Sequence, residues 1–403
     1  MANKPLSAKL HVTLYFIVSA ACTAALIISP GLTDLSLYFD IPVKQSSKVV
    51  SIFLLGYVLG LFFHSYEAKR SGYRKTLFRG FVIYNIGNLL QILSIKFQLY
   101  DPFLLSRLLS SIGASSGLIC VFAMIPEISR NTKETQRLIS NAFISLTLAS
   151  YLSITVGGFL TYYLGWMSII GFTLCLSTLN IVMILKYIPK VKPENSINLE
   201  ITVFIKKYTH AFFNSQLLRF SVISSFTTCS SYLYNSLGSL IAMNIFHMSP
   251  RDIGIISILN LIAIITGSRI STALSKQLDS FRSLSIGVFL SSAPIALIVL
   301  LAIEYIPDNL IKASFFLSVL LINISTGIIY PQASFLALKS TECKPTASSI
   351  MNIFKIGIPC IVIFLAGRSS LSLELSFYIP MSIFFLITSF CTIAAGLFIR
   401  QQS

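Results

Sequence analysis

Residues 186–219 read KYIPKVKPENSINLEITVFIKKYTHAFFNSQLLR, the longest break in an otherwise apolar chain. The stretch carries Lys186, Lys190, Lys192, Lys206, Lys207 and Arg219 against Glu194 and Glu200. A hydrophobic half of similar length lies on each side of it. If each half supplies six membrane spans, the stretch is a cytoplasmic strap between two bundles. Within it, Ile197, Leu199, Ile201, Val203, Phe204 and Ile205 fall among polar residues, and Phe212 and Phe213 follow. Two readings fit this pattern: a short amphipathic segment on the membrane face, or a solvated linker.

The composition places the chain in lipid. Hydrophobic residues make up 55% and charged residues only 11%, against about 25% charged in soluble domains. The mean hydropathy is +0.81. A span needs about 20 apolar residues, so 403 residues accommodate roughly a dozen spans with short loops. A net charge of +16 raises the question of nucleic acid. The cations sit in short loops between apolar runs, which excludes that partner and fits the excess of Lys and Arg in cytoplasmic loops. Of seven cysteines, all but Cys343 fall inside apolar runs and read as small apolar residues, not as a disulfide or metal framework. The first apolar run, 11–29, is long for a secretory leader and lacks a small-residue cleavage site, so it reads as an uncleaved first span.

The pattern predicts twelve transmembrane helices in an all-α membrane protein. The N-terminal six-helix bundle, residues 1–187, has spans at 10–32, 49–66, 77–97, 102–124, 138–162 and 165–187. Residues 188–216 form the cytoplasmic linker. The C-terminal six-helix bundle, residues 217–403, has spans at 217–246, 253–274, 284–305, 310–338, 346–367 and 375–399. An even number of spans puts both termini on one side. With that side inside, 22 basic residues face inward and 6 outward, so both termini are expected in the cytoplasm. The two that remain of the 30 basic residues, Arg107 and Lys355, fall inside spans away from their cytoplasmic and outer ends.

Small residues recur at helical spacing: Gly56 with Gly60, Gly113 with Gly117, and the pair Gly157 and Gly158. A strip without side chains lets two helix backbones approach, so these are expected at helix contacts. Pro30, Pro294, Pro331 and Pro359 lie within spans. Each removes a backbone donor and can kink its helix, and Pro331 is expected, with Gly113, Gly157 and Gly158, at helix packing.

Residues 60–75, GLFFHSYEAKRSGYRK, resemble the loop between spans 2 and 3 of the major facilitator superfamily. There a Gly and an acid precede a basic-x-Gly-basic run. Gly60, Arg70, Gly72 and Arg74 fit; Lys69 stands where the acid is expected, and Glu67 is two residues early. In the family this acid helps latch the cytoplasmic gate, so the resemblance requires Glu67 to substitute or the latch to be lost. Arg107 to Gly113 is similar to the span 4 motif. Ile154-Thr-Val-Gly157-Gly158 resembles the end of the antiporter motif, with Ile154 in place of its Pro. Leu164-Gly165-Trp166, the run from Gly327 through Pro331 to Leu338, and Thr346-Ala-Ser-Ser349 resemble spans 6, 10 and 11 of the Bcr/CflA drug-resistance branch. The resemblance covers nearly the whole chain. It implies two pseudo-symmetric six-helix bundles in a bacterial inner membrane, a monomer, and alternating access around a central cavity. Many family members expel drugs or metabolites in exchange for protons.

No catalytic constellation, phosphate-cradling loop or metal spacing is present. The chain is therefore read as a transporter without cofactor, not as an enzyme. Lys355 is the sharpest feature. It lies about nine residues into span 11, roughly 14 Å deep at 1.5 Å per residue, where a charge costs at least ~2.5 kcal/mol. It should face a cavity or a partner, and Asn352, one turn earlier, shares its helix face. The Bcr/CflA branch usually has Gln at this position. Arg107 can snorkel to the outer surface or turn inward toward Asp34, where a pair would lower the cost of both charges. Span 1 has no carboxylate, although branch members often carry one there. Buried cations without buried acids tilt the substrate toward anionic or zwitterionic molecules, and a Lys can itself carry the proton. The functions in play are efflux of a drug, siderophore or metabolite, uptake of an anionic metabolite or siderophore, and a non-transporting membrane sensor of the same fold.

Overall fold

The computed structural model describes residues 8–129, 131–190, 214–340 and 344–402. Among them the chain is helical throughout, with no strand. The first half has α1 (Ala8–Leu26), a 3-10 turn (Ser29–Gly31), α2 (Leu32–Tyr38), a second 3-10 turn (Val43–Ser47), α3 (Lys48–Ser71), α4 (Tyr73–Lys96), α5 (Tyr100–Ile128), α6 (Thr132–Leu164) and α7 (Ser168–Tyr187). The second half has α8 (Ser215–Leu233), a π-helical segment (Tyr234–Gly238), α9 (Ser239–Asn244), α10 (Pro250–Leu274), α11 (Ser280–Leu290), α12 (Ser292–Ala302), α13 (Asp308–Lys339), α14 (Lys344–Arg368) and α15 (Leu373–Gln402). Ten helical stretches among the described residues are long and apolar enough to cross a membrane. The α4 pass and the α8–α9 pass make twelve. They are less apolar because α4 carries Asn85, Asn88 and Gln91 and α8 is rich in Ser and Thr.

The chain falls into two compact units. Unit 1 is Met1–Asn198 with Ser249–Gly254, and unit 2 is Leu199–Met248 with Ile255–Ser403. Residues 191–213 of the strap, with its amphipathic pattern, lie outside the described residues, as does Cys343.

Three spans depart from the continuous helices expected of them. The first breaks after Leu26 and resumes at Leu32. Pro30 lacks the donor a helix needs there, and Gly31 lies so close to the turn before α7 that an added Cβ would meet Trp166 Cβ at 2.9 Å. The seventh carries the π-helical turn at Tyr234–Gly238. The ninth divides between Leu290 and Ser292, two residues before Pro294. Pro331 and Pro359 interrupt nothing: α13 and α14 run through them.

The glycines set how tightly the helices pack. An added Cβ on Gly56 would meet Leu108 O at 2.4 Å, and one on Gly60 would meet Ile112 O at 2.7 Å, so α3 rests on the α5 backbone. Gly113 faces the other side of α5, where a Cβ would meet Gly80 O and Tyr84 N of α4 at 2.4 Å. Gly157 lets α6 reach the break in the first span, since a Cβ there would meet Ile27 O at 2.0 Å. Gly158 faces the start of α10 within unit 1, Pro250 O being 2.4 Å from its added Cβ. Unit 2 repeats the device between its own second and fourth passes. A Cβ on Gly267 would meet Ile324 O at 2.0 Å, and one on Gly327 would meet Ile264 O at 2.4 Å. Close backbone approach of this kind replaces the hydrophobic drive that lipid removes.

Candidate functional site

In unit 2, α14 carries Lys355 into the bundle with 7% of its surface exposed. The α14 backbone is held there by α8, whose Thr228 Oγ1 donates to Lys355 O at 2.7 Å. The amine donates to Tyr330 Oη of α13 at 2.9 Å. It also lies 4.3 Å from the centre of the Tyr330 ring, within cation–π range. Tyr330, and not Asn352, is the hydrogen-bond partner of the amine. Asn352 is half-buried one turn away. Lys355 makes no ion pair among the described residues. One donor is therefore spent on a phenol, and the ammonium, which has three donors, faces no counter-charge.

In unit 1, Arg107 of α5 is 2% exposed. Its Nη2 donates to Ala24 O of α1 at 3.1 Å, and its guanidinium lies 4.5 Å from the centre of the Phe53 ring of α3. Arg107 Nε is buried without a partner. The expected pair with Asp34 is not formed. Asp34 lies on α2, beyond the break at Pro30, where it is half-buried. Arg107 turns inward to the last turn of α1, so it does not snorkel. The main-chain carbonyl and the ring face meet part of its demand, and neither carries a full negative charge.

The other polar residues of the spans hold helices together. Gln91 Nε2 donates to Asn88 Oδ1 at 3.2 Å and to Ser110 Oγ at 3.3 Å, and Asn88 Nδ2 to Ser177 Oγ at 3.4 Å. Ser177 in turn donates to Asn85 Oδ1. This network ties α4 to α5 and α7. Asn141 Nδ2 donates to Tyr15 Oη at 3.1 Å, and Asn323 Nδ2 to Asn260 Oδ1 at 3.4 Å. Gln332 Nε2 joins Ser271 and Ser275 at 2.9 and 2.7 Å. Pro331, read as a helix-packing residue, is instead exposed on α13.

The motif between α3 and α4 is built around Glu67. Gly72 joins the two helices at φ +85°, a left-handed conformation that glycine alone adopts at no steric cost. Lys69 and Arg70 are exposed. Glu67 is 9% exposed, and Arg79 Nη1 of α4 donates to its Oε1 at 2.7 Å. His64 Nδ1 stands 3.5 Å from Glu67 Oε2. Arg74 Nη2 reaches Leu185 O near the end of α7. Tyr73 Oη donates to Glu127 Oε1 at 2.6 Å, closing α4 onto α5. Burial, and then the Glu127 carboxylate, hold the Tyr73 phenol above its ordinary value. The buried acid of the motif is thus Glu67, paired with Arg79, and Lys69 is exposed. The sequence reading missed His64 and Arg79 as its partners. The three-residue spacing from His64 to Glu67 was the available signal, because it puts both on one helix face.

Residues 14–362 match the family described as Major Facilitator Superfamily. No curated protein is similar in sequence. Among solved structures, the chain is similar to a D-xylose-proton symporter at a TM-score of 0.73 and 12% identity, covering 96% of each chain. It is similar to the xylose transporter XylE from E. coli in a partially occluded, inward-open conformation, at 0.72 and 13%, again over 96% of each. The POT family transporter PepTSo is similar at 0.70 and 12%, over 97% of this chain and 98% of that one. At such identities the likeness carries the fold of two six-helix bundles and nothing finer.

Proposed function

The chain belongs to the Major Facilitator Superfamily, whose members are membrane transporters and not enzymes, and from that premise we propose that it moves an anionic or zwitterionic small molecule by alternating access. Lys355 is the substrate-binding cation in this reading. The observation that carries it is the buried amine whose only described polar partner is the Tyr330 hydroxyl. An ammonium held in the bundle without a carboxylate is costly, and a negative substrate group that completes its coordination is bound in proportion. Arg107, with its unpartnered Nε, supports the same preference.

The resemblance of spans 4, 5, 6, 10 and 11 to the Bcr/CflA branch supports export, with protons as the driving ion. Carboxylate metabolites and siderophores fit the charge. The excess of basic residues in alternate loops supports a bacterial inner-membrane location with both termini in the cytoplasm. The domain reading goes with it: bundles at 1–187 and 217–403 joined by a linker at 188–216. An untargeted comparison of metabolites inside and outside cells, with and without the gene, tests the function. A negatively charged compound that accumulates inside when the gene is absent is the expected result. Accumulation of cationic drugs alone contradicts it.

A further inference from the structure

His64 lies on α3 with its side chain fully buried. Its Nε2 is 3.0 Å from Ile112 O of α5. A carbonyl oxygen only accepts, so Nε2 carries a hydrogen. In a neutral ring, Nδ1 is then a bare lone pair. Nδ1 is buried, makes no hydrogen bond, and stands 3.5 Å from Glu67 Oε2. An ionised carboxylate is also an acceptor only. Two acceptors face to face away from water repel each other, and the low local dielectric strengthens the repulsion. One proton, on either atom, turns the repulsion into attraction.

We propose that His64 and Glu67 form a proton-binding pair, which holds one proton between Nδ1 and Oε2 while α3 is packed on α5. The surrounding groups fit a proton. Arg79 of α4 reaches Glu67 Oε1 from a largely exposed position, its side chain being 57% exposed. From α5, the buried Cys120 thiol is within electrostatic reach of Glu67, and Glu127 is occupied by Tyr73. Lys69, on the pair's own helix, is exposed. No group of three His, Cys, Asp or Glu able to hold a metal occurs among the described residues. Ile112 O, the acceptor for His64, is also the atom against which Gly60 rests. Proton occupancy is therefore tied to the α3–α5 contact. Losing the proton sets two acceptors against each other in that junction, and parting the helices there lets water take the proton. The inference holds whatever molecule is transported.

The test uses the full chain in lipid nanodiscs with 15N-labelled histidine. Nitrogen NMR reads how many ring nitrogens carry hydrogen, and infrared spectroscopy reads whether Glu67 is a carboxylic acid. His64 is one of four histidines, and its signal is assigned by His11→Asn, His210→Asn and His247→Asn, which leave the pair intact. Near neutral pH the expected result is one bound proton, seen as two N–H groups on His64 or as a protonated carboxyl lost in Glu67→Gln. A ring with a single N–H beside an ionised Glu67 overturns the proposal. Arg79→Gln removes a cation from an exposed position, so folding is expected to survive. The pair should then keep its proton to higher pH than in the parent, because a nearby positive charge disfavours protonation. An unchanged or lower pH of loss overturns the proposal as well.

Discussion

The Lys355 amine and the Tyr330 hydroxyl are 2.9 Å apart and join two helices, α14 and α13, of one compact unit. The contact satisfies one of three amine donors and cancels no charge. A neutral hydroxyl therefore leaves most of the cost of the buried charge uncompensated. Tyr330→Phe removes the hydroxyl and keeps the ring that faces the amine. The expected result is folded protein, with substrate affinity shifted by no more than about tenfold, since one neutral hydrogen bond contributes roughly 0.5–1.5 kcal/mol. Complete loss of transport would make the tyrosine, and not the lysine, the main substrate contact.

Arg107 is buried against Ala24 O and Phe53 with no carboxylate. Arg107→Met keeps apolar bulk and removes a desolvated charge that costs several kcal/mol to bury. Membrane abundance and thermal stability should be equal to or above those of the parent, while transport of an anion falls by about tenfold or more, ~1.4 kcal/mol. A variant that fails to accumulate in the membrane would show that Arg107 is structural.

Glu67→Gln breaks the ion pair with Arg79. Lys69→Asp adds an acid at an exposed position that already lies beside Arg70. The first should impair transport and lower thermal stability; the second should be tolerated. The reverse pattern in a transport assay contradicts the placement of the latch at Glu67.

Gly113→Ala pushes a methyl group to 2.4 Å from Gly80 O and Tyr84 N. Both are backbone atoms of α4, which cannot rotate out of the way. A loss of about 1–3 kcal/mol is expected for such overpacking, seen as a lower unfolding temperature in detergent. Gly171→Ala, where an added Cβ meets nothing within 4 Å, is the control and should be neutral.

The topology is checked by reporter fusions. Fusions after Arg74, Lys192 and Lys344 should report cytoplasm, and fusions after Lys44, Asp101 and Asp308 the outside. Opposite signals at any adjacent pair would break the twelve-span order.

Much of this was legible in the residues, and the misses have physical causes. Apolar run length is a strong signal in lipid because every backbone group must be satisfied within its segment, so the spans could be read directly. The break at Pro30 was written in the sequence as a possible kink. The π-helical turn at Tyr234–Gly238 was not, since no local residue demands it. Lys355 and Arg107 stood out as the two charges in apolar runs. Their partners did not, because Tyr330 is 25 residues from Lys355 and Arg107 uses a main-chain carbonyl that no side-chain pattern reveals. Asp34 looked like a partner by depth alone, yet the 3-10 turn at Ser29–Gly31 puts it on a separate helix. Within the motif, Glu67 is buried and Lys69 exposed, a difference that matching to the family's spacing could not show.

The most direct measurement is uptake or release of the identified substrate by Lys355→Gln and Lys355→Arg in vesicles with an imposed proton gradient. Loss of a charge-assisted hydrogen bond removes about 1.5–3 kcal/mol. Lys355→Gln should therefore be present at parental abundance and carry an anionic substrate about 10-fold to 100-fold less well. Lys355→Arg should retain part of the activity, because charge is kept while shape changes. Normal transport of an anionic substrate by Lys355→Gln would contradict the assignment of Lys355 as its binding cation.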